Sequence, residues 1–181
     1  LLSFTEKGIY CKQADVYIDP WQPVTRALIT HAHADHSRWG MKHYLAHKLS
    51  VPIIKARLGQ ENDVQGVEYG EEIIINGVKF SFHPAGHIIG SAQIRAEYKG
   101  KVEVASGDYK LGDDGVTTPF EPIKCHTYIT ESTFGLPIFR WQDQKQVFND
   151  INNWWQQNQE QGKVSVITGY ALGKSQRILQ H

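Results

Sequence analysis

The sequence contains few cysteines, and none of them lies in a metal-binding arrangement. Of the 181 residues only two are cysteine, Cys11 and Cys125, and they are far apart in the chain. This scarcity excludes a disulfide framework and a zinc site of the cysteine-rich type. We expect two buried free thiols, as in a protein of the reducing cytoplasm.

The sequence also lacks a long apolar run and an excess of charge of either sign. It has no stretch of about 18 apolar residues, so no membrane-spanning helix is predicted. Its first residues show no charged region followed by an apolar run, so no signal peptide is predicted and a cytoplasmic location is expected. Lys and Arg total 19, as do Asp and Glu, and this balance counts against a surface built to bind nucleic acid.

The pattern of apolar residues predicts a protein that is rich in short strands. The predicted strands are 16–19, 27–30, 51–54, 72–75, 79–83, 91–98, 101–106, 127–130 and 164–168. The pairs Asn76-Gly77 and Lys99-Gly100 are typical of tight hairpin turns. Helices are predicted over part of 33–49, over 142–161 and over 174–180. Strands that precede most of the helices favour an α+β or a layered α/β/β/α architecture.

Four ligand-type side chains follow the predicted strand 27–30 within six residues. They are His31, His33, Asp35 and His36. Alternate residues of an extended segment face the same side, so His31 and His33 can point at one ion. Asp35 and His36 follow at a turn, where they can face a second ion. A lone histidine is usually a hydrogen-bonded core residue, but this density of imidazole and carboxylate groups predicts a metal site.

Two later segments supply further ligands at strand ends. His87 lies in Gly86-His87-Ile88-Ile89-Gly90-Ser91-Ala92, among small residues that let the backbone approach the site closely. Asp108 ends the segment 104–108, and its two carboxylate oxygens could bridge two ions that are about 3.5–4 Å apart. His83, just before Pro84, is expected to support His87 from behind.

These motifs resemble the metallo-β-lactamase superfamily from about Asp19 onward. The resemblance implies an α/β protein with an αββα sandwich and a centre of two divalent metal ions, zinc first and manganese as an alternative. It implies three sets of metal ligands: His31, His33 and His87 for one ion, Asp35 and His36 for the other, and Asp108 shared by both. Asp19 matches an acidic motif that orients the metal-binding loop without touching the metal, although a turn residue before Pro20 explains it equally well.

The strand 127–130 and the residues after it point to one branch of that superfamily. Glu131, within Thr130-Glu131-Ser132-Thr133-Phe134-Gly135, and the form of the His87 motif resemble the β-CASP nucleases. The resemblance places Glu131 beside the metal ligands and, with Asp35, in the chemistry of the reaction. A strand-end glutamate that caps the next turn is the alternative. Ser91 and Lys110 are expected to contact substrate, with a solvated loop lysine as the alternative for Lys110.

The resemblance also implies a division of the chain into two domains and one further metal ligand. It implies a catalytic part over 1–140 and the beginning of a β-CASP insert domain over 141–181. The superfamily has one more histidine for the second metal, and we expect that ligand beyond the end of this chain. The segment 169–175 resembles a phosphate-binding loop, but it has three residues between its glycines where four are needed, so nucleotide binding is not predicted.

The narrowest resemblance is to bacterial ligase-associated DNA exonucleases. It rests on the segments 8–11, 19–21, 46–47, 107–110 and 125–127. It implies a DNA exonuclease of DNA repair, with DNA as the substrate and functional association with an ATP-dependent DNA ligase and a helicase. Three alternatives stay open: a β-CASP ribonuclease of RNA processing, a hydrolase of thioesters or lactams, and a binding subunit without catalytic activity.

Overall fold

The structure, a computed structural model that describes residues 1–181, consists mainly of two β-sheets with few helices. The chain divides into two compact units, Leu1–Glu131 and Ser132–His181. Both sheets lie in the first unit. None of the three helices is long and apolar enough to cross a membrane. The predicted mixed α/β class is therefore confirmed.

The first sheet has six strands that are adjacent in chain order. They are β1 (Leu2–Thr5), β2 (Gly8–Cys11), β3 (Val16–Ile18), β4 (Arg26–Ile29), β5 (His43–His47) and β6 (Val64–Val67). Strands β1 to β3 are antiparallel, whereas β3 to β6 run parallel. A short helix, α1 (Val51–Leu58), connects β5 to β6, as a parallel pair requires a crossover.

The second sheet has five strands in the order β11-β10-β9-β8-β7. They are β7 (Ile73–Ile75), β8 (Val78–Pro84), β9 (Ala92–Tyr98), β10 (Lys101–Ala105) and β11 (Thr127–Ile129). The hairpins β7–β8 and β9–β10 form at the predicted turns, where Asn76 and Lys99 take positive φ angles of 49° and 50°. A glycine follows each of them and completes a turn that needs two such residues.

The two sheets share one hydrophobic core. Alternate side chains of β8, among them Phe80 and Phe82, pack in the same buried cluster as Ile18 and Leu28 of the first sheet. All four side chains are almost completely excluded from solvent. Burial of a large apolar side chain contributes about 1.5–3 kcal/mol, so this cluster holds the two sheets together.

Two predictions about local structure in the first unit are wrong. The segment 51–54, predicted as a strand, forms the first turn of α1. A run of four apolar residues shows no decisive period, and Pro52 is tolerated in a first helical turn because its missing N–H would be unpaired there. The region 33–49, predicted as partly helical, contains β5, which pairs with β4 and β6.

The second unit contains two helices, α2 (Gln144–Glu160) and α3 (Lys174–Gln180), close to their predicted positions. Asp143 caps α2 by accepting a hydrogen bond from the Gln146 N–H. The predicted strand 164–168 is not formed, because those residues pair with no other strand.

Candidate metal centre

The predicted ligands lie on three loops at one edge of the two sheets. His31 to His36 follow β4, His87 follows β8 and Asp108 follows β10. Strands β8 and β10 both run antiparallel to β9, so their carboxyl ends meet at the same edge. A hydrogen bond from the Ala92 N–H to the Thr30 carbonyl ties the end of β4 to this edge. The topology therefore brings together segments that are far apart in sequence.

Four of the predicted ligands converge on one point. The ligand atoms of His31, His33, His87 and Asp108 all lie within 4.8 Å of one another. His33 Nδ1 is 3.1 Å from His31 Nε2 and 3.2 Å from His87 Nε2. An Asp108 oxygen, Oδ2, lies 3.9 Å from His31 Nε2 and 3.6 Å from His87 Nε2.

This cluster fits a tetrahedral divalent ion. Zinc bonds of about 2.0–2.1 Å to nitrogen and oxygen imply ligand–ligand separations of about 3.3–3.4 Å in a tetrahedron. The four separations between 3.1 and 3.9 Å bracket that value. Three imidazoles and a carboxylate are also a donor set that zinc accepts.

The other oxygen of Asp108 faces a second group of ligand-type side chains. His36 Nε2 lies 3.4 Å from Asp108 Oδ1 and 3.7 Å from Asp35 Oδ2. Asp108 therefore presents one oxygen to each group, which is the arrangement that a bridging carboxylate requires. Asp35 is the most open member, with 71% of its side chain exposed.

Asp19 and Thr30 orient two of these imidazoles from outside the cluster. The Thr30 hydroxyl donates a 2.5 Å hydrogen bond to Asp19, so it can only accept at its 3.1 Å contact with His31 Nδ1. His36 Nδ1 donates to Asp19 at 2.7 Å. Nδ1 therefore carries a proton in both rings, and Nε2 is the atom directed toward the site, as in ligands held by a carboxylate.

The electrostatics of the centre favour neutral ligands in one group and a cation in the other. Burial, with the neighbouring imidazoles, lowers the pKa of His31 well below its usual value, so this ring offers a lone pair. Burial also lowers the pKa of His87, against the opposing charges of Asp108 and Glu131. At His36 burial acts in the same direction, but Asp108 and Asp19 outweigh it and raise the pKa to about 10. A positive charge is thus stabilised where a second metal ion would lie.

The other predicted site residues lie at different distances from the centre. Glu131 is close enough to influence the pKa of His87, and its backbone N–H donates to Ser106 Oγ. Lys110 forms an ion pair with Asp114, so its charge is already compensated within its own loop. His83 contacts Ser81 and Glu121, and the prediction that it supports His87 is wrong because its ring lies on the outer face of the sheet.

The structure contradicts a substrate contact for Ser91. This residue is 1% exposed, and its Oγ accepts hydrogen bonds from the backbone N–H groups of His87 and Ile88. The Ser91 carbonyl accepts a third bond from the Tyr69 hydroxyl. Ser91 therefore shapes the loop that carries His87 and is not available to a ligand.

Asp114 is a functional candidate that the sequence did not indicate. Its buried carboxylate accepts hydrogen bonds from the Thr117 hydroxyl and from the backbone N–H groups of Val116 and Thr117. The Thr117 hydroxyl also lies 3.0 Å from the Gly86 carbonyl oxygen beside His87, so it can donate its single proton to this oxygen or to Asp114. Asp114 therefore braces the loop of Asp108 against the loop of His87.

Asp114→Asn is expected to lower the free energy of unfolding. It should also make that free energy depend less on pH in acid. Burial opposes the charge of Asp114, but the ion pair with Lys110 and the hydrogen bonds outweigh it and lower the pKa to about 2 from 3.8. A lowered pKa stabilises the fold above pH 3.8, and this contribution is lost as the pH falls toward about 2. Loss of a buried charged acceptor costs about 1–3 kcal/mol.

Urea unfolding at several pH values between about 2 and 7 would measure this change, because the slope of stability against pH reports proton uptake. Asp113→Asn is the matched control, since Asp113 is exposed and only its neighbour Gly115 donates to it. An identical pH slope for the parent chain and Asp114→Asn would contradict the assignment.

Comparison with known proteins gives the relatives of this chain. It is 31% identical over 174 residues to a probable DNA ligase of Opitutus terrae, covering 95% of this chain and 17% of the ligase. It is 28% identical over 163 residues to cleavage and polyadenylation specificity factor 73 of Drosophila melanogaster, covering 85% and 23%. An RNase J-like protein of Methanocaldococcus jannaschii is 32% identical over 117 residues, covering 61% and 27%.

No protein-family model matches the chain. The chain spans between 17% and 27% of the length of these curated relatives. The relatives include nucleases of the β-CASP type. The chain is therefore confirmed as a relative of the β-CASP nucleases of the metallo-β-lactamase superfamily, as its histidine and aspartate motifs predicted.

Proposed function

We propose that this chain carries the two-metal centre of a nuclease, within a metallo-β-lactamase αββα sandwich over 1–140 and the beginning of an insert domain over 141–181. The position of Asp108 is the observation that carries the proposal, because one oxygen faces His31 and His87 while the other faces His36. A centre that holds two cations side by side suits hydrolysis of a phosphodiester. Zinc is the proposed metal and manganese the alternative.

Each side chain of the centre has a distinct part in this proposal. His31, His33 and His87 would hold one ion, Asp35 and His36 the other, with Asp108 between them. When bound, the ions would supply Lewis-acid activation of water and stabilise negative charge on phosphoryl oxygens. Asp35 is exposed at the mouth of the site, where it can orient a water and accept its proton. Glu131 would hold the His87 ring in place.

The proposed substrate is the end of a DNA strand, in a DNA-repair reaction associated with an ATP-dependent DNA ligase and a helicase. The similarity to a probable DNA ligase over 95% of this chain supports this choice. RNA is the second candidate, which the similarity to an RNase J-like protein favours. The chain has no excess of positive charge, so it attracts the phosphates of DNA or RNA only weakly. Residues outside this chain would have to bind most of those phosphates.

An end-labelled oligonucleotide assay tests the proposed function. The protein is expected to shorten DNA stepwise, to lose activity in chelator and to regain it with added zinc or manganese. Glu131→Ala should reduce the rate about 10–100-fold, as is typical when a group that supports a metal ligand is removed. Glu72→Ala is the control, because Glu72 pairs with Lys79 at an exposed position.

RNA of the same sequence, a lactam and a thioester complete the assay. Preferential cleavage of RNA would replace the DNA proposal by the ribonuclease. Turnover of the lactam or the thioester without attack on either nucleic acid would contradict the nuclease. Binding of nucleic acid with no cleavage at any metal concentration would favour a non-catalytic subunit.

A further inference from the structure

Helix α1 touches the His87 loop at its first end. Ser50, which precedes the helix, is completely buried, and its hydroxyl donates a 2.9 Å hydrogen bond to the Gly90 carbonyl. Gly90 has a φ of +77°, and a Cβ at this position would lie 2.6 Å from Ser50 Oγ. The close approach shows that the His87 loop is packed directly on the start of α1.

The same helix touches the other ligand loop at its last turn. Arg57 Nη1 donates hydrogen bonds to the Ala32 carbonyl at 3.0 Å and to Ser37 Oγ at 2.7 Å. The Ser37 hydroxyl donates in turn to the His33 carbonyl at 2.9 Å. Arg57 therefore holds both ends of the turn in which His33, Asp35 and His36 lie.

The segment between these contacts is rigid. It is a regular helix from Val51 to Leu58, so its two anchoring residues are separated by about 10 Å along the axis. Pro52 restricts the backbone of the first turn, and Ile54 is fully buried beneath the helix. A rigid element that is fixed to two loops determines the distance between them.

We propose that α1 is a strut that presets the spacing of the two ligand loops, with Ser50 and Arg57 as positioning residues for the metal centre. His33 Nδ1 and His87 Nε2, one on each of the two loops that α1 contacts, lie 3.2 Å apart. A preset cage spares the metal the entropy cost of ordering two loops. The proposal rests on the proposed metal site but is independent of the substrate.

If α1 is a strut, loss of its contact at either end should lower metal affinity more than it lowers the stability of the fold. The core cluster that joins the two sheets contains neither Ser50 nor Arg57. Loss of either contact should therefore leave the sheets together and release one ligand loop. Metal affinity typically falls about 10–100-fold when a group supporting a ligand is removed.

Cobalt titration of the chain tests the proposal, because the absorption of bound Co²⁺ reports both affinity and ligand geometry without any nuclease assay. We expect Arg57→Ala and Ser50→Ala each to weaken Co²⁺ binding about tenfold and to alter the spectrum. Arg57→Lys should restore part of the affinity, since lysine can donate to one of the two acceptors. Lys55→Ala, on the same helix, is the matched control and should bind as the parent chain does.

The double variant distinguishes a strut from two unrelated contacts. Releasing one end of a strut already frees the spacing, so the combined loss in Ser50→Ala/Arg57→Ala should be well below the product of the single losses. Residues this far apart would otherwise act independently. Urea unfolding without metal should show that each variant is folded at the titration conditions.

Two results would overturn the strut while leaving the metal site intact: an unchanged Co²⁺ affinity in the single variants, or single losses that multiply in the double variant. If the parent chain bound no Co²⁺, the metal site and the strut would both be wrong. If the Co²⁺ results were as expected but the protein had no nuclease activity, the strut would be supported and only the proposed function would be contradicted.

Discussion

Replacing Asp108 with alanine is expected to cause the largest loss of metal binding of any single substitution in the centre. Its Oδ2 lies 3.6 Å from His87 Nε2 and its Oδ1 lies 3.4 Å from His36 Nε2. Removing the carboxylate therefore withdraws a ligand from both groups and the negative charge that lies between them. We expect nuclease activity to fall by more than about 100-fold, beyond the loss of about 10–100-fold that is typical of residues outside the ligand set.

Asp19→Ala is the informative comparison. Asp19 contacts Thr30 and His36 and none of the four clustered ligands. Its removal therefore loosens the rings of His31 and His36 but leaves every ligand present. Its loss should stay within about 10–100-fold. Metal content by elemental analysis and rates on labelled DNA would be measured for both variants and for Asp113→Ala. Equal losses in Asp108→Ala and Asp19→Ala would show that the assignment of their roles is wrong.

Gly86→Ala is expected to destabilise the protein and to displace His87. Gly86 has a φ of +72°, and a Cβ there would overlap the Lys110 carbonyl oxygen and lie 3.2 Å from the Phe120 N. Both obstacles are backbone atoms, so one of the two loops must move. Positive-φ strain and overpacking together cost about 2–5 kcal/mol. Since His87 is the next residue, Co²⁺ affinity should fall as well.

Gly100→Ala is the control that shows how much of the Gly86→Ala effect comes from atomic overlap and how much from positive-φ strain. Gly100 has a similar φ of +78°, but no atom lies within 4 Å of a Cβ built there. The variant should lose only about 1–2 kcal/mol and keep its metal affinity. Urea unfolding and Co²⁺ titration would be compared for the two alanine variants. The close approach of the loops would be contradicted if both variants were destabilised equally and both bound Co²⁺ as the parent chain does.

The sequence alone determined the local features in which a few neighbouring residues decide the outcome. Asn76-Gly77 and Lys99-Gly100 form the predicted hairpins, because a tight turn depends only on residues that accept positive φ. The sequence also predicted a metal site, because several imidazoles and carboxylates within a few residues of strand ends are typical of one. The roles of the individual ligands remain predictions, although the structure brings together His31, His33, His87 and Asp108.

Tertiary structure decided what depends on partners that are distant in the chain. The run 51–54 became helical because it crosses between two parallel strands, β5 and β6, which a short apolar run cannot reveal. Ser91 was mistaken for a substrate contact because the sequence cannot show that the loop folds back on its hydroxyl.

Arg57 gave no signal in the sequence, since it lies 20 residues beyond Ser37, its hydrogen-bond partner. Sequence motifs indicate which side-chain atoms can bind a metal ion. The distances between those atoms are set by strand order, by buried hydrogen bonds and by the helix that contacts the two ligand loops, all of which join residues that are distant in the sequence.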